Sequence, residues 1–442
     1  MLKYFGTDGI RGRANEKLTP EIAYKVGRYL GYYLCENSGG KFLIGRDTRK
    51  SGQMLESALC AGLCASGCDV DLVGVVVTPI VSYLLEHNTY VGGIMITASH
   101  NVYYDNGLKV MDAQGLKIDP FLMAEIEQYI DGEIEIPYRM DDKIGIVNNR
   151  EDLSNTYIEH LKAQFTEDLA SFQIAVDAAN GAASHLADLF EQFGLDVTII
   201  NNKPDGININ DKCGSTHTET LQKFMAEKDF DLGISFDGDG DRLMLVDDKG
   251  AIIDGDGILY IISNFYKQHQ QLENDTVVVT VMSNIGLHKA LKAKGIKTVT
   301  TDVGDKNVFE RMNNDNHIIG GEQSGHIILK KYSNMGDGFV VSLKILNIMA
   351  KEKQSLSQLT KDLSIYPQLL KNVTVVDTKE VLNNEKVKQK IDQVTKKLND
   401  EGRVLVRASG TEPLIRVMVE AETHEICLKS VNEILEVIET KI

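Results

Sequence analysis

The chain contains no run of about 18 uncharged apolar residues, the length that a membrane-spanning helix requires. Hydrophobic residues make up 43% of its 442 residues, an ordinary share for a globular protein, so no membrane span is expected. The opening residues Met1-Leu2-Lys3-Tyr4-Phe5-Gly6-Thr7 lack the apolar core of a secretory signal, and a cytoplasmic protein is the expectation. Basic residues are in deficit: 47 Lys and Arg face 64 Asp and Glu, a net charge of −17. That argues against a broad nucleic-acid surface or docking on anionic lipid. It leaves room for a phosphorylated small molecule if local cations, helix N-termini or a metal offset the field. Cysteines number six, and no disulfide is expected in so long a cytosolic chain. Cys60, Cys64 and Cys68 are spaced to line one helical stripe and read as small apolar residues on a buried face, not as cluster ligands. A P-loop is missing too, which disfavours a nucleotide kinase, and no low-complexity segment occurs.

What is present is an alternation of helix and strand signals. Thr19-Pro20-Glu21 opens a helix that should run to about Glu36, with Thr19 as its cap and Pro20 in its first turn. Residues 41–45 form a short apolar strand, 51–66 a helix and 70–77 another strand. A looser pattern recurs three times. Gly92 to Thr97 runs into Ala98-Ser99-His100-Asn101, Asp231 to Phe236 into Asp237-Gly238-Asp239-Gly240-Asp241, and His317 to Gly321 into Glu322-Gln323-Ser324-Gly325-His326. Each is a buried strand that delivers a polar, glycine-bearing loop, and ligands of open α/β sheets bind at such strand ends. The C-terminal stretch differs: strands at 368–376, 403–407 and 414–420, helices at 379–399 and 423–442. The expected fold class is α/β: three related α/β domains with mixed, mainly parallel sheets plus a C-terminal α+β domain, around a central active-site cleft. Domains are expected at 1–150, 151–253, 254–366 and 367–442.

The loops carry the chemistry. Asp237, Asp239 and Asp241 alternate with glycines, so three carboxylates can converge on one hard cation. An EF-hand would need glycine where Arg242 stands and a helix where a strand follows; few ligands and much oxygen favour Mg²⁺. Ser99 beside His100 at a strand end suggests a nucleophile, although neighbouring side chains point apart and no Gly-x-Ser-x-Gly elbow surrounds it. Read alone, that stretch suits an N-capping serine equally well. Glu322, Ser324 and His326 suit a polyhydroxylated ligand, or else a satisfied surface loop. Arg407, Ser409, Gly410, Thr411 and Arg416 offer guanidinium forks and hydroxyls to a phosphate dianion.

Taken together, the order of serine, metal, sugar and phosphate loops resembles the α-D-phosphohexomutase family. The resemblance runs from Phe5-Gly6-Thr7-Asp8-Gly9-Ile10-Arg11-Gly12 to Arg416-Val417-Met418-Val419-Glu420. Pro204 to Asn210, Cys213-Gly214-Ser215-Thr216-His217 and Gln323 resemble the branch that acts on glucosamine phosphate. The resemblance implies four domains around a cleft, one Mg²⁺ held by Asp237, Asp239, Asp241 and a phosphorylated Ser99, and a sugar bisphosphate intermediate and activator. It also implies an intramolecular phosphotransferase that supplies amino-sugar nucleotides and cell-wall precursors, with phosphosugars as partners and a homodimer as the assembly. Arg11, Lys109 and Arg242 match family positions near the reacting phosphate: Lys109 as acid/base, the alternative being a solvated surface lysine, and the arginines as clamps. His100 is expected to orient the phosphoserine, and the loop around Gly410 to anchor the phosphate already on the sugar. Phosphoglucomutase or phosphomannomutase activity is the alternative, and a phosphatase or a sugar-phosphate sensor is a further one. Three departures stand out: Val102 replaces the usual proline, Lys306-Asn307 the usual Arg-Tyr, and Asn334-Met335 the usual Thr-Thr.

Overall fold

The computed structural model describes residues 2–6, 8–35, 40–408 and 414–439. Four sheets organise them, of seven, five, four and three strands. In the first, Lys41–Arg46 pairs in parallel with Asp69–Val75 and with Gly92–Ile96, and Asp105–Asp112 returns antiparallel beside Gly92–Ile96. The second repeats the device: Leu232–Phe236 lies parallel to Gln173–Asp177 and is followed by an antiparallel Leu243–Val246. The third does so again, with Ile319–Gly321 parallel to Thr276–Thr280 and antiparallel to Ile327–Leu329. The three recurring sequence patterns are thus one structural unit: a buried parallel strand, a polar loop at its C-terminal end, and an antiparallel return strand. Every residue of Gly92–Ile96, Leu232–Phe236 and Ile319–Gly321 is buried, which is why each reads as a continuous apolar run without alternation. The last sheet is wholly antiparallel, with Leu414–Ala421 between Gln368–Thr374 and Gly402–Ala408.

Helices follow the sequence signals closely. The first spans Pro20–Cys35, with the Thr19 hydroxyl accepting from the Ile22 N–H, and the second spans Gly52–Ala65. The helix expected over 379–399 is two, Thr378–Asn383 and Glu385–Leu398. Asn384 leaves the helical region at φ −68°, ψ 125° and caps the second helix by accepting from the Lys386 N–H. The closing helix is His424–Glu439. No helix among the described residues is long and apolar enough to cross a membrane.

Cysteine pairing departs from expectation. Cys35, ending the first helix, is joined to Cys68, just ahead of the strand Asp69–Val75, with Cα atoms 5.5 Å apart. Cys60 and Cys64 lie within one helix as free thiols, whereas Cys68 has left it, so the three do not form one stripe.

The chain forms two compact units, one of residues 1–281 and 299–360, the other of 282–298 and 361–442. The second has its own core, including Val373, Val387, Ile415, Val417, Val431 and Ile434.

Candidate active site

Ser99, Lys109, Asp237, Asp239, Asp241, Arg242 and His326 all belong to the larger unit, and its loops bring them together. Ser99 is buried and adopts φ +53°, a left-handed conformation costly for a residue with a Cβ. Its Oγ donates to Asp237 Oδ2 at 2.6 Å, and His100 Nδ1 lies 3.4 Å away, the weaker of its two contacts. Gly238 allows this approach: a Cβ there would meet the Ser99 carbonyl oxygen at 2.6 Å.

The three aspartates are buried, and their ligand oxygens lie within 4.8 Å of one another. Asp239 Oδ1 and Asp241 Oδ1 are enclosed with no hydrogen-bond partner among the described residues. Buried carboxylate oxygens without donors are costly unless a cation meets them. This set of hard oxygens, with Ser99 Oγ alongside, fits a divalent metal ion. Their electrostatics are uneven. Burial pushes Asp237 far above the usual carboxylate range, and its two neighbours add to this. Burial also acts on Asp241, but Lys109 and then His326 outweigh it and bring its pKa down to about 2.

Lys109 is buried, not a solvated lysine. Its Nζ donates to Asp239 Oδ2 and to Asp241 Oδ2, both at 2.7 Å, with Asp8 Oδ2 at 3.6 Å. Burial disfavours its charge, yet these carboxylates hold its pKa well above the usual value, so it is an ammonium. Arg11 pairs with Asp8, and Arg242 Nε lies 3.9 Å from Asp241 Oδ1. The Nε groups of both arginines are enclosed without an acceptor among the described residues. Burial, then Arg242 and Arg11, bring the His100 pKa down to about 4, so its imidazole is neutral.

In the third loop, Glu322 Oε1 accepts from the Gly304 N–H at 2.9 Å. His326 Nε2 accepts from the Gly336 N–H at 3.0 Å, which leaves Nδ1 as the proton-bearing nitrogen, 3.8 Å from Asp241 Oδ2. Ser324 is half-buried. In the smaller unit, Arg407 and Arg416 are directly opposite residues on adjacent strands. Ser409, Gly410 and Thr411 lie outside the described residues.

Sequence reasoning missed several members. Lys117 Nζ bridges Asp8 at 2.9 Å and Asp305 at 2.6 Å, and Thr78 Oγ1 donates to Asp239 Oδ2 at 2.5 Å. Their partners stand far away in the chain, so no local spacing announces them; only the segment Phe5 to Gly12 contained a hint of Asp8.

Comparison with known proteins accords with this arrangement. Four domain families match in order: phosphoglucomutase/phosphomannomutase α/β/α domain I at 2–136, domain II at 155–250, domain III at 254–366 and the C-terminal domain at 370–437. A phosphoglucosamine mutase of Lachnoclostridium phytofermentans is 48% identical over 443 residues, covering 100% of this chain and 99% of that protein. The chain belongs to the α-D-phosphohexomutase family. A phosphoglucosamine mutase of Bacillus subtilis is 49% identical to this phosphohexomutase, again over 100% of the chain and 99% of the relative. Among solved structures, a phosphoglucomutase/phosphomannomutase family protein of Burkholderia thailandensis shares the fold with a TM-score of 0.82 at 23% identity, covering 100% of this chain and 98% of that one. An Aspergillus fumigatus N-acetylphosphoglucosamine mutase, solved with GlcNAc-6P and magnesium, gives a TM-score of 0.70 at 18% identity, covering 99% and 96%.

Proposed function

We propose that this chain interconverts glucosamine 6-phosphate and glucosamine 1-phosphate through a phosphorylated Ser99 and a bisphosphorylated sugar. It is an isomerase, an intramolecular phosphotransferase. The observation that carries the reading is Ser99 Oγ at 2.6 Å from Asp237, inside a cluster of three buried aspartates, two of which keep an oxygen with no hydrogen-bond partner among the described residues. The choice of amino sugar rests on curated relatives named phosphoglucosamine mutase, at 48% and 49% identity over the whole chain.

Asp237, Asp239, Asp241 and one oxygen on Ser99 would hold the metal, and Mg²⁺ is the ion that this oxygen set and the magnesium in the Aspergillus relative favour. Bound there, it would withdraw charge from the transferring phosphoryl group. The protein groups do the rest. A sugar hydroxyl attacks phosphorus, the P–Oγ bond breaks, and the hydroxyl proton ends on Ser99 Oγ. Lys109 relays it, giving its own proton to the leaving oxygen and regaining one from the attacking hydroxyl. Arg11 and Arg242, whose Nε–H groups have no acceptor among the described residues, would clamp the phosphoryl oxygens. Neutral His100 orients the phosphoserine. Glu322, Ser324 and His326 read the sugar hydroxyls, and Arg407, Ser409, Gly410, Thr411 and Arg416 grip the phosphate that is not being transferred. The bisphosphate then turns end over end and returns its other phosphate to Ser99. A bisphosphorylated sugar added from outside therefore serves as activator. Substrate and product are small, water-soluble sugar phosphates, which suits a cytoplasmic enzyme.

Lys306 does not stand against the amino sugar: its ammonium pairs with Glu310 at 3.7 Å along its own helix. A coupled assay with glucosamine, glucose and mannose 6-phosphates tests the assignment. The highest kcat/KM is expected on glucosamine 6-phosphate, with side activity on glucose 6-phosphate, and Lys306→Arg should keep that order. A preference for glucose or mannose phosphate would replace this reading.

A further inference from the structure

A guanidinium carries five N–H groups, and all five of those on Arg49 are used, one on Asp47 and four on carbonyl oxygens of the segment 99–105. Nε donates to Asp47 Oδ2 at 2.8 Å. Nη1 donates to the carbonyl oxygens of Val102 at 2.5 Å and Asp105 at 3.1 Å, and Nη2 to those of Ser99 at 2.9 Å and Asn101 at 2.7 Å. The side chains of Arg49 and Asp47 are both fully enclosed, with 0% exposure.

Two further contacts complete the grip. Asp47 Oδ2 also accepts from Thr97 Oγ1 at 2.7 Å, and that oxygen accepts from the Ser99 N–H at 2.9 Å. From the second sheet's side, Asn210 Nδ2 donates to the carbonyl oxygens of Ser99 at 2.8 Å and Asn101 at 2.9 Å. The Ser99 carbonyl is therefore held by two side chains remote in sequence, and its N–H by Thr97, two residues away, which Asp47 holds in turn.

This matters because Ser99 sits at φ +53°, a conformation that persists only where its surroundings over-determine it. Burying an ion pair is a poor way to gain stability, since apolar residues of similar volume do as well or better. A planar fork with five fixed donors does what an apolar residue could not: it fixes four carbonyl oxygens of the serine loop and the start of its return strand. The Val102 carbonyl is one of them, so the loop is pinned where the family's usual proline ring is missing.

We propose that Arg49, oriented by Asp47 and assisted by Asn210, is the positioning residue that holds Ser99 in its left-handed conformation and aims Oγ at the aspartate cluster. The proposal rests on the mutase reading above. Loosening this grip leaves the sugar contacts intact but misdirects the phosphoryl group.

The test compares wild type, Arg49→Lys and Asn210→Ala in mutase turnover, in melting temperature, and in the share of Ser99 phosphate lost to water instead of sugar. Lysine keeps the charge but has three donors where five are used. For Arg49→Lys, kcat should fall about 100-fold with KM little changed, the cost of a misplacement near 1 Å, and hydrolysis should take a larger share. Asn210→Ala should lower kcat about tenfold in the same pattern, the loss of its two hydrogen bonds to carbonyl oxygens being worth about a decade. A folded Arg49→Lys with wild-type kcat and hydrolysis share overturns the proposal. If Arg49→Lys does not fold, undisturbed kcat in Asn210→Ala overturns it. Wild type that turns over without ever carrying phosphate on Ser99 overturns the mutase reading and this proposal together.

Discussion

Ser99 is the residue on which the chemistry turns, and its hydroxyl has a single strong partner, Asp237. Replacing Ser99 with alanine removes only that hydroxyl from a buried loop whose backbone is held by other groups. Ser99→Ala should therefore keep its circular-dichroism spectrum and lose at least about a thousandfold in kcat, as loss of a nucleophile does elsewhere; activity near wild type would remove serine from the mechanism. Asp239→Asn deletes one charge from a site with an unmet oxygen. Its Mg²⁺ dissociation constant, by titration calorimetry, should rise by more than the roughly 10- to 100-fold that losing an outer-shell partner costs; unchanged affinity would mean that the loop holds no metal. At this scale the sequence was legible where the chemistry is local. Asp237, Asp239 and Asp241 announce themselves at alternate positions in five residues. Arg49 and Asp47, two residues apart, show nothing locally, because their meaning lies in carbonyl groups some 50 residues away. The Cys35–Cys68 pairing, across 33 residues and two elements, was hidden for the same reason.

Among the elements, the helix Gly338–Glu352 is buried along most of its length and carries an enclosed ammonium. Lys344 Nζ sits 4.8 Å from the ring centre of Phe265 and 4.6 Å from that of Tyr266. Burial, helped by Lys351 and Lys331, brings its pKa down to about 8 from the usual 10.5. The folded chain thus binds this proton less tightly than the unfolded chain. The charge destabilises the fold below about pH 8, and the penalty fades as pH rises through 8 toward 10.5. The shift corresponds to at most about 3 kcal/mol, and attraction to the rings offsets about 0.5–2 kcal/mol of it. Lys344→Met should accordingly be more stable than wild type at pH 7 by about 1–2 kcal/mol in urea unfolding, with the advantage shrinking toward pH 10. A less stable variant at pH 7 would show that the rings outweigh burial. Element boundaries were legible where a cap marks them, as at Thr19-Pro20. The break at Asn384 was not, because asparagine continues the polar pattern of its neighbours and only its backbone angles and its bond to the Lys386 N–H reveal a new start.

For the whole molecule, four sheets in two compact units imply more than one cooperative transition. The aspartate cluster lies in the larger unit, while residues 361–442 and 282–298 form the other. Scanning calorimetry should show Mg²⁺ raising one transition, by about 2.7 kcal/mol at a hundred times its dissociation constant, with the other unmoved and both unmoved in Asp239→Asn. A shift of both transitions together would mean that the units unfold as one. The threefold strand-and-loop repeat was visible in the sequence because fully buried strands read as unbroken apolar runs. The division into two units was not, since residues 282–298 join the C-terminal unit from a distance. The central claim is that every phosphoryl group passes through Ser99. Peptide mapping by mass spectrometry tests it most directly, on protein first charged with glucose 1,6-bisphosphate and then mixed with glucosamine 6-phosphate. The account predicts phosphate on the peptide carrying Ser99 after charging, and its departure to the sugar within the turnover time. Turnover with that peptide unphosphorylated throughout, or with phosphate held on another residue, would contradict it.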